Sequence, residues 1–241
     1  MKIKPAITIQ DRQIFNKNGE PVNLRGFTID NNSCASEASL QIIGDDFDDT
    51  FSDIKSRGCS MVRCVVYWDV VEPEEGCFNE EYLAKLRNGI KEAEKNDLLV
   101  YLVPKAFSNN KMFWGRNTYP ADKIIDDEPA GMYYVRQFTA AMNHLARRIK
   151  DCENVIGFSI PDCYSELYNS SAETNNSLKP DLVHQFGVLF ITELRKKHPQ
   201  YYFIAEETDV SNNSIWIKEE HLKYNIISGV LLENNHSMFI C

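Results

Sequence analysis

Hydrophobic residues along this chain fall into short continuous runs, which are separated by longer amphipathic segments. The runs predict six buried strands, at residues 22–28, 61–68, 98–104, 155–160, 201–206 and 226–232. Most of the segments between them repeat apolar residues at helical spacing and predict helices at 45–57, 80–96, 130–150, 180–197 and 215–223. Strands without period-two alternation that alternate with helices are typical of a parallel sheet covered by helices.

The N-terminal segment follows a different pattern. Residues 3–16 alternate apolar and polar positions, and Lys17-Asn18-Gly19-Glu20 contains the turn-forming Asn-Gly pair. We therefore expect a β-hairpin within residues 1–20 that caps one end of a single domain spanning residues 1–241. No Gly-rich phosphate loop follows the first predicted strand, so a barrel-type sheet is favoured over a nucleotide-binding one.

Composition narrows the classes of partner and cofactor. A net charge of −9 argues against a nucleic-acid partner. The seven cysteines have no regular spacing and form no C-x-x-C pair, so we expect no disulfide framework, no metal site and no cofactor. No apolar run approaches the ~20 residues of a membrane span. The start of the chain lacks a signal-like apolar region, which predicts a cytoplasmic protein, or a secreted one if a leader has been removed.

Four stretches carry a resemblance to a known family. They are Gly19-Glu20-Pro21-Val22-Asn23-Leu24-Arg25-Gly26, the segment 51–63 ending in Met61-Val62-Arg63, the pattern Trp68-x-x-x-Glu72-Pro73-x-x-Gly76, and Asn154-Val155-Ile156-Gly157-Phe158. In this order and spacing they resemble glycoside hydrolase family 5, the cellulase and mannanase group. The resemblance extends from about residue 10 to about residue 235.

The resemblance implies an eight-stranded (β/α) barrel that hydrolyses β-linked polysaccharides with retention. Such enzymes use two carboxyl groups about 5 Å apart, one as the acid/base and one as the nucleophile. In the family these are glutamates at the ends of the fourth and seventh strands. Because the chain predicts about six of the eight strand–helix units, we expect an incomplete TIM-barrel-like fold that lacks the nucleophile's strand.

The chain also departs from the family at the acid/base position. Aligning the Gly157-Phe158 segment on the family motif puts Asp162 at the family's Asn and Cys163 at its acid/base Glu. A thiol is a poor proton donor to a glycosidic oxygen, since this step needs a tuned carboxylic acid. Cys163 is therefore either a nucleophilic or redox thiol, or a small residue left after loss of the acid.

Other side chains could form a relocated site. The candidate carboxylates are Glu166, Glu207 and Glu233, each weighed against a role as an ordinary rim or loop residue. Arg63 would support the catalytic carboxylates as in the family, or form an internal ion pair. We expect substrate contacts from Arg63, Trp68, Trp114, Asp162 and His236. The alternative for the aromatic residues is that they pack down the long loop at residues 106–129.

Three functions remain open at this point. The first is a catalytically degenerate family member that binds an oligo- or polysaccharide. The second is an active glycosidase that uses Glu166 with Glu207 or Glu233, and the third is a non-catalytic scaffold or interaction protein. An incomplete parallel barrel has two bare edges. We expect the N-terminal hairpin, the C-terminal tail or a second copy of the chain to cover them, the last giving a homo-oligomer.

Overall fold

Strands and helices alternate through most of the described chain. The computed structural model describes residues 4–11, 13–29, 47–105, 107–108, 111–114, 117–120, 128–161, 180–207, 226–232 and 237–240. Within these ranges the strands are β1 Ile7–Gln10, β2 Gln13–Asn16, β3 Leu24–Ile29, β4 Met61–Tyr67, β5 Leu99–Lys105, β6 Phe107–Ser108, β7 Lys111–Trp114, β8 Asn117–Pro120, β9 Val155–Ser159, β10 Tyr202–Glu207, β11 Ile226–Leu232 and β12 Ser237–Ile240. The helices are α1 Phe47–Ser56, α2 Trp68–Val71, α3 Glu80–Lys95, α4 Glu128–Arg148 and α5 Pro180–Lys197.

A closed barrel forms the centre of the described fold. Strands β3, β4, β5, β9, β10 and β11 are parallel neighbours in that order, which confirms the six predicted strands and the incomplete TIM-barrel-like fold. β12 was not predicted from the sequence. It pairs antiparallel with both β11 and β3 and closes the ring. Of the three expected covers for the bare edges, the C-terminal tail is therefore the one present in this structure.

The N-terminal hairpin is present, but its turn differs from the prediction. β1 and β2 pair antiparallel from Ile7–Asn16 to Gln10–Gln13, so the chain reverses between Gln10 and Gln13. The predicted turn at residues 17–20 instead follows β2 and leads towards β3. The Asn16 carboxamide explains this second turn, because its Oδ1 accepts from the backbone N–H groups of Asn18 and Glu20, each at 3.0 Å. Gly19, at φ 80°, supplies the left-handed backbone of the turn.

Two layers of apolar side chains hold the barrel together. The inner layer contains Leu24, Met61, Val65, Tyr101, Val103, Ile156 and Ile204, joined by Ile7 and Ile14 of the hairpin. Because Leu24 and Met61 begin their strands, the hairpin closes the N-terminal end of the barrel. The outer layer lies between the strands and the helices and includes the aromatic group Trp68, Phe138, Phe158, Phe190 and Phe203.

α3 shows how the sequence builds one element of the outer layer. Oδ1 of Asn79 accepts from the N–H of Tyr82 at 3.0 Å and caps the first turn. The apolar face that follows is buried and comprises Tyr82, Leu83, Leu86, Ile90 and Ala93. The helix therefore covers the barrel with one face, as its spacing predicts.

Strand β9, which carries one of the family motifs, contains an irregularity in its pairing with β5. Val100 of β5 pairs with Val155, whereas the next residue, Tyr101, pairs with Gly157, so Ile156 forms a bulge. Glycine is required next to the bulge, because a Cβ on Gly157 would lie 1.8 Å from the carbonyl oxygen of Tyr202 on β10. β9 and β10 can pair only with a bare backbone at this position.

Residues 106–129, expected to be a long loop, contain a small sheet. β6, β7 and β8 form three antiparallel strands within this segment. Aromatic and β-branched residues such as Phe113 and Thr118, which are paired across β7 and β8, favour strands over loop. The predicted helix at 215–223 lies outside the described residues.

Candidate functional site

The C-terminal ends of the parallel strands define one mouth of the barrel, which is where enzymes of this architecture place their reactive groups. Glu207 is the last residue of β10, and its Cα partner is Val230 on β11. Glu233 follows directly after the end of β11. Asp162 and Cys163 come three and four residues after the end of β9. The described ends of β9, β10 and β11 lie at the same end of the fold, because these three strands are parallel neighbours.

Several predicted site residues cannot be described further. Asp162, Cys163, Glu166, Glu233 and His236 lie outside the described residues. Glu207 and Trp114 lie on strands β10 and β7, but their side chains are also outside the description. Their proposed contacts with substrate or with one another remain predictions.

Arg63 is described in full and lies inside the barrel. It is the third residue of β4, between Met61 and Val65 of the inner layer, and residues two apart on a strand face the same side. Its side chain is buried. Its Cα partners are Thr28 on β3 and Tyr101 on β5. β4 continues for four residues past Arg63, so the Cα of Arg63 lies in the middle of the strand and not at its C-terminal end.

Trp68 has a packing role instead of the predicted contact with sugar. Its indole is fully buried, and it meets Phe138 of α4 edge to face with ring centroids 5.7 Å apart. The indole N–H donates to Oε2 of Glu72 at 2.8 Å. A buried ring with its N–H already bonded leaves no open face for a sugar in this structure. The sequence marks Trp68 as aromatic at a strand end, but not which side of the barrel it faces.

Glu72 explains why the family pattern joins Trp68, Glu72 and Gly76. The Glu72 carboxylate is buried, and its second oxygen, Oε1, accepts from the backbone N–H of Gly76 at 2.7 Å. Gly76 is at φ 74° and therefore favours glycine. The hydrogen bonds among these three residues hold the segment after β4 in contact with the outer layer. A further tie comes from Tyr133 of α4, whose hydroxyl donates to Oε1 of Glu75 at 2.7 Å.

Asn154 has a comparable structural role at the start of β9. Its Nδ2 donates to the carbonyl oxygens of Ile90 on α3 and of Leu98 before β5, each at 3.0 Å. It thereby joins one helix and two strands at the N-terminal end of the barrel. The first residue of the Asn154–Phe158 motif thus holds the fold together on the side away from the mouth.

Sequence reasoning missed Asp69, the second residue of α2. This side chain is buried, and its Oδ1 has no hydrogen-bond partner among the described residues. Burial raises the pKa of Asp69, and the backbone N–H groups of Val70 and Asp69 oppose only part of that rise. A buried carboxyl group with an unpaired oxygen is costly and is a recognised feature of functional positions. No pattern in the sequence separates Asp69 from an ordinary surface aspartate.

The described residues give no support for a metal site or a membrane span. No group of three or more His, Cys, Asp and Glu side chains within them is placed to hold a metal ion. None of the helices in this part of the chain is long and apolar enough to cross a membrane. Cys59, Cys77 and Cys152 are free thiols, and burial raises the pKa of Cys152 to about 11. A thiol with such a pKa is not activated for nucleophilic chemistry.

Comparison with known proteins places these features in a family. Residues 15–220 match the model of the cellulase family, glycosyl hydrolase family 5. A glucosylceramidase from Cryptococcus neoformans var. grubii is 30% identical over 40% of this chain, which corresponds to 15% of that protein. The chain therefore spans only a small part of this curated relative.

Solved structures share the fold at low sequence identity. An exo-β-1,4-mannosidase from Opitutaceae bacterium strain TAV5 is 17% identical with a TM-score of 0.65, over 82% of this chain and 34% of that one. An endogalactoceramidase is 18% identical with a TM-score of 0.57, over 84% and 53%. The β-mannanase of the blue mussel Mytilus edulis is 14% identical with a TM-score of 0.59, over 92% and 70%.

The family model covers most of the chain. The segments that resemble the family form the barrel strands, including the bulged β9, and the hydrogen-bonded Trp68–Glu72–Gly76 unit. The chain belongs to glycosyl hydrolase family 5.

Proposed function

We propose that this protein binds carbohydrate through the mouth of its barrel and does not catalyse the family's two-carboxylate hydrolysis. One observation carries the proposal. β9 is the fourth parallel strand counted from β3, and the family's acid/base glutamate follows the fourth strand. This chain has Asp162-Cys163 at that place. A thiol cannot protonate the leaving oxygen as a tuned carboxylic acid does.

The relatives suggest which ligands to test. By their names, the similar proteins include a β-1,4-mannosidase, a β-mannanase, a glucosylceramidase and an endogalactoceramidase. We therefore propose β-mannosides and the sugar head groups of glycosylceramides as the first ligand classes. The barrel mouth, with Trp114, Asp162 and His236 near it in the chain path, is the proposed site of contact.

A glycan array tests the binding proposal. We expect retention of manno-oligosaccharides or glycosylceramide head groups by the wild-type protein and weaker retention by Trp114→Ala and His236→Ala. Ile9→Ala is the matched control, because Ile9 is exposed on the hairpin at the opposite end of the barrel. Absence of any carbohydrate binding by the folded wild-type protein would favour a scaffold or interaction protein instead.

A second candidate function, an active glycosidase with relocated carboxylates, is favoured by the strand ends. Glu207 ends β10, and Glu233 follows β11, the strand that pairs with β10. Glu166, after β9, would serve as the partner of either one. Glu166 and Glu207 belong to the ends of neighbouring strands, β9 and β10, whereas Glu233 follows β11, which does not pair with β9. Retaining enzymes need the two carboxyl groups about 5 Å apart.

Turnover of aryl β-glucoside, β-mannoside and β-cellobioside separates the two functions. Our proposal predicts no turnover above background by the wild-type protein, because Cys163 stands at the acid/base position of the family motif. Turnover that is lost in Glu207→Gln or Glu233→Gln, but kept in the exposed control Glu74→Gln, would instead establish the relocated pair.

A further inference from the structure

Strand β10 contributes its residues alternately to the two apolar layers of the barrel. Ile204 belongs to the inner layer, whereas Phe203 and Ala205 belong to the outer layer between the strands and the helices. Residues two apart on a strand lie on the same face. Position 206 therefore falls on the inner face of β10, and position 207 falls on the outer face. Of the two glutamates that end β10, Glu206 is the one whose place in the strand belongs to the interior of the barrel.

The strands on both sides of β10 carry little side-chain bulk beside position 206. On β11 the Cα partner of Glu206 is Gly229, which has no side chain. On β9 the Cα partner of Ile204 is Ser159, so this serine lies on the same inner face, close to the mouth. Ser159 is buried, and its hydroxyl group donates to the carbonyl oxygen of Ile160 at 3.3 Å. Position 206 thus has a bare backbone on one side and a small polar side chain on the other.

The opposite wall of the barrel carries positive charge on its inner face. Arg63 of β4 lies on this face, as shown above. Lys105, the last residue of β5, is two residues past Val103 of the inner layer and is therefore on the same face. Its Cα partner Tyr67 packs against the inner layer. In the ring of described strands β4 is three strands away from β10 by way of β9 and β5, and four by way of β11, so it lies across the interior from position 206.

We propose that Glu206 is the carboxylate that holds the carbohydrate at the mouth of the barrel, where it accepts hydrogen bonds from the hydroxyl groups of a neutral sugar ring. This inference rests on the carbohydrate binding proposed above and names the residue and the sugar class. A carboxylate has two acceptor oxygens and can bind two neighbouring hydroxyl groups. A hydroxyl group also accepts, which suits the N–H donors of Arg63 and Lys105 on the opposite wall. Gly229 leaves space for the ring beside the carboxylate.

Isothermal titration calorimetry of the full chain tests this assignment. The probes are β-1,4-mannotriose, methyl β-glucoside and methyl β-galactoside, which are soluble representatives of the ligand classes proposed above. We expect the wild-type protein to bind at least one of them and Glu206→Gln to bind it at least about tenfold more weakly, because the charged acceptor is lost. Glu74→Gln, at an exposed position outside the mouth, should bind as the wild-type protein does. Circular dichroism checks that each variant is folded.

The assignment is overturned if Glu206→Gln binds as tightly as the wild-type protein, or if Glu207→Gln loses at least as much affinity. A folded wild-type protein that binds none of the three sugars overturns the proposed ligand classes and this inference together, so the two failures differ. If Glu206→Gln does not fold, the ¹³C chemical shift of the Glu206 carboxyl group in the wild-type protein replaces it. A shift change that saturates with added sugar supports the assignment, and an unchanged shift in the presence of bound sugar overturns it.

Discussion

The indole N–H of Trp68 donates a 2.8 Å hydrogen bond to Oε2 of Glu72, four residues further along the chain. Both side chains are buried, and the same carboxylate also accepts from the backbone N–H of Gly76. This pair accounts for a family motif without any contact with substrate. Its two hydrogen bonds support the segment that leads from β4 to α3.

Glu72→Ala removes the acceptor for two N–H groups, one of which belongs to a fully buried indole. We expect the free energy of unfolding to fall by about 3 kcal/mol, since a buried unsatisfied donor is costly. Urea denaturation followed by circular dichroism measures it. Glu72→Gln, which keeps one acceptor oxygen, should lose less. Glu74→Ala, at an exposed position two residues on, should change stability by no more than about 0.5 kcal/mol. Equal losses in Glu72→Ala and Glu74→Ala would contradict this account.

Gly157→Ala tests the close approach of β9 and β10. The added Cβ would lie 1.8 Å from the carbonyl oxygen of Tyr202, so the two strands must separate. We expect a loss of about 3 kcal/mol or more, at the upper end of the range for overpacked sites. Ile156→Val on the same strand removes one methyl group from the inner layer and should cost only about 1 kcal/mol. If Gly157→Ala has the same thermal denaturation midpoint as the wild-type protein, β9 and β10 can separate at this position without loss of stability.

Met238→Pro tests the closure of the barrel by β12. Proline removes a backbone N–H from a strand that has neighbours on both sides, and such strands rarely accept it. We expect the edges of β3 and β11 to become exposed and the protein to associate, as bare edges do. Sedimentation velocity at increasing concentration measures this, with the wild-type protein and Met238→Ala expected to remain monomeric. A monomeric Met238→Pro protein of unchanged stability would mean that β12 is dispensable.

His198, which follows α5, makes the free energy of unfolding depend on pH. Burial lowers the pKa of this imidazole, although a hydrogen bond with the backbone of Asn143 opposes the shift. The folded state thus binds the proton less tightly than the unfolded chain. The buried, neutral imidazole therefore contributes fully to the free energy of unfolding at pH values above the usual histidine pKa. This contribution is lost as the pH falls through the pKa of His198 in the folded state. We expect His198→Gln to flatten the decline in unfolding free energy between about pH 7 and about pH 5. A decline as steep as in the wild-type protein would assign it to other groups.

The strands and helices of the barrel could be predicted because each was encoded locally. Val155 to Ile160 is a short, mostly apolar run, which is typical of a strand covered on both sides. β12 could not be predicted, because its four residues follow a polar segment and form a strand only by pairing with β3 and β11. β6 to β8 were missed for a similar reason, because very short strands are stabilised by their pairing.

The candidate site was less accessible to sequence reasoning than the fold. The family motifs indicated the end of β9 as the place where the acid belongs, whereas Glu207 and Glu233 remain predictions. Whether Trp68 faces sugar or core depended on its neighbour Phe138, which lies seventy residues away. The raised pKa of Asp69 likewise arises from burial by distant elements and leaves no local pattern.

The pairing of β12 with β3 also has a consequence for the order of folding. Leu24 and Ile240, which are Cα partners across this contact, come from nearly opposite ends of the sequence. Contacts of such separation carry the largest loop-closure entropy and form late. During synthesis the six parallel strands leave the ribosome before residues 237–240 do, so the ring stays open until its last strand arrives. Until then the edges of β3 and β11 lack a partner strand, and bare edges are the parts of a sheet most prone to misassembly.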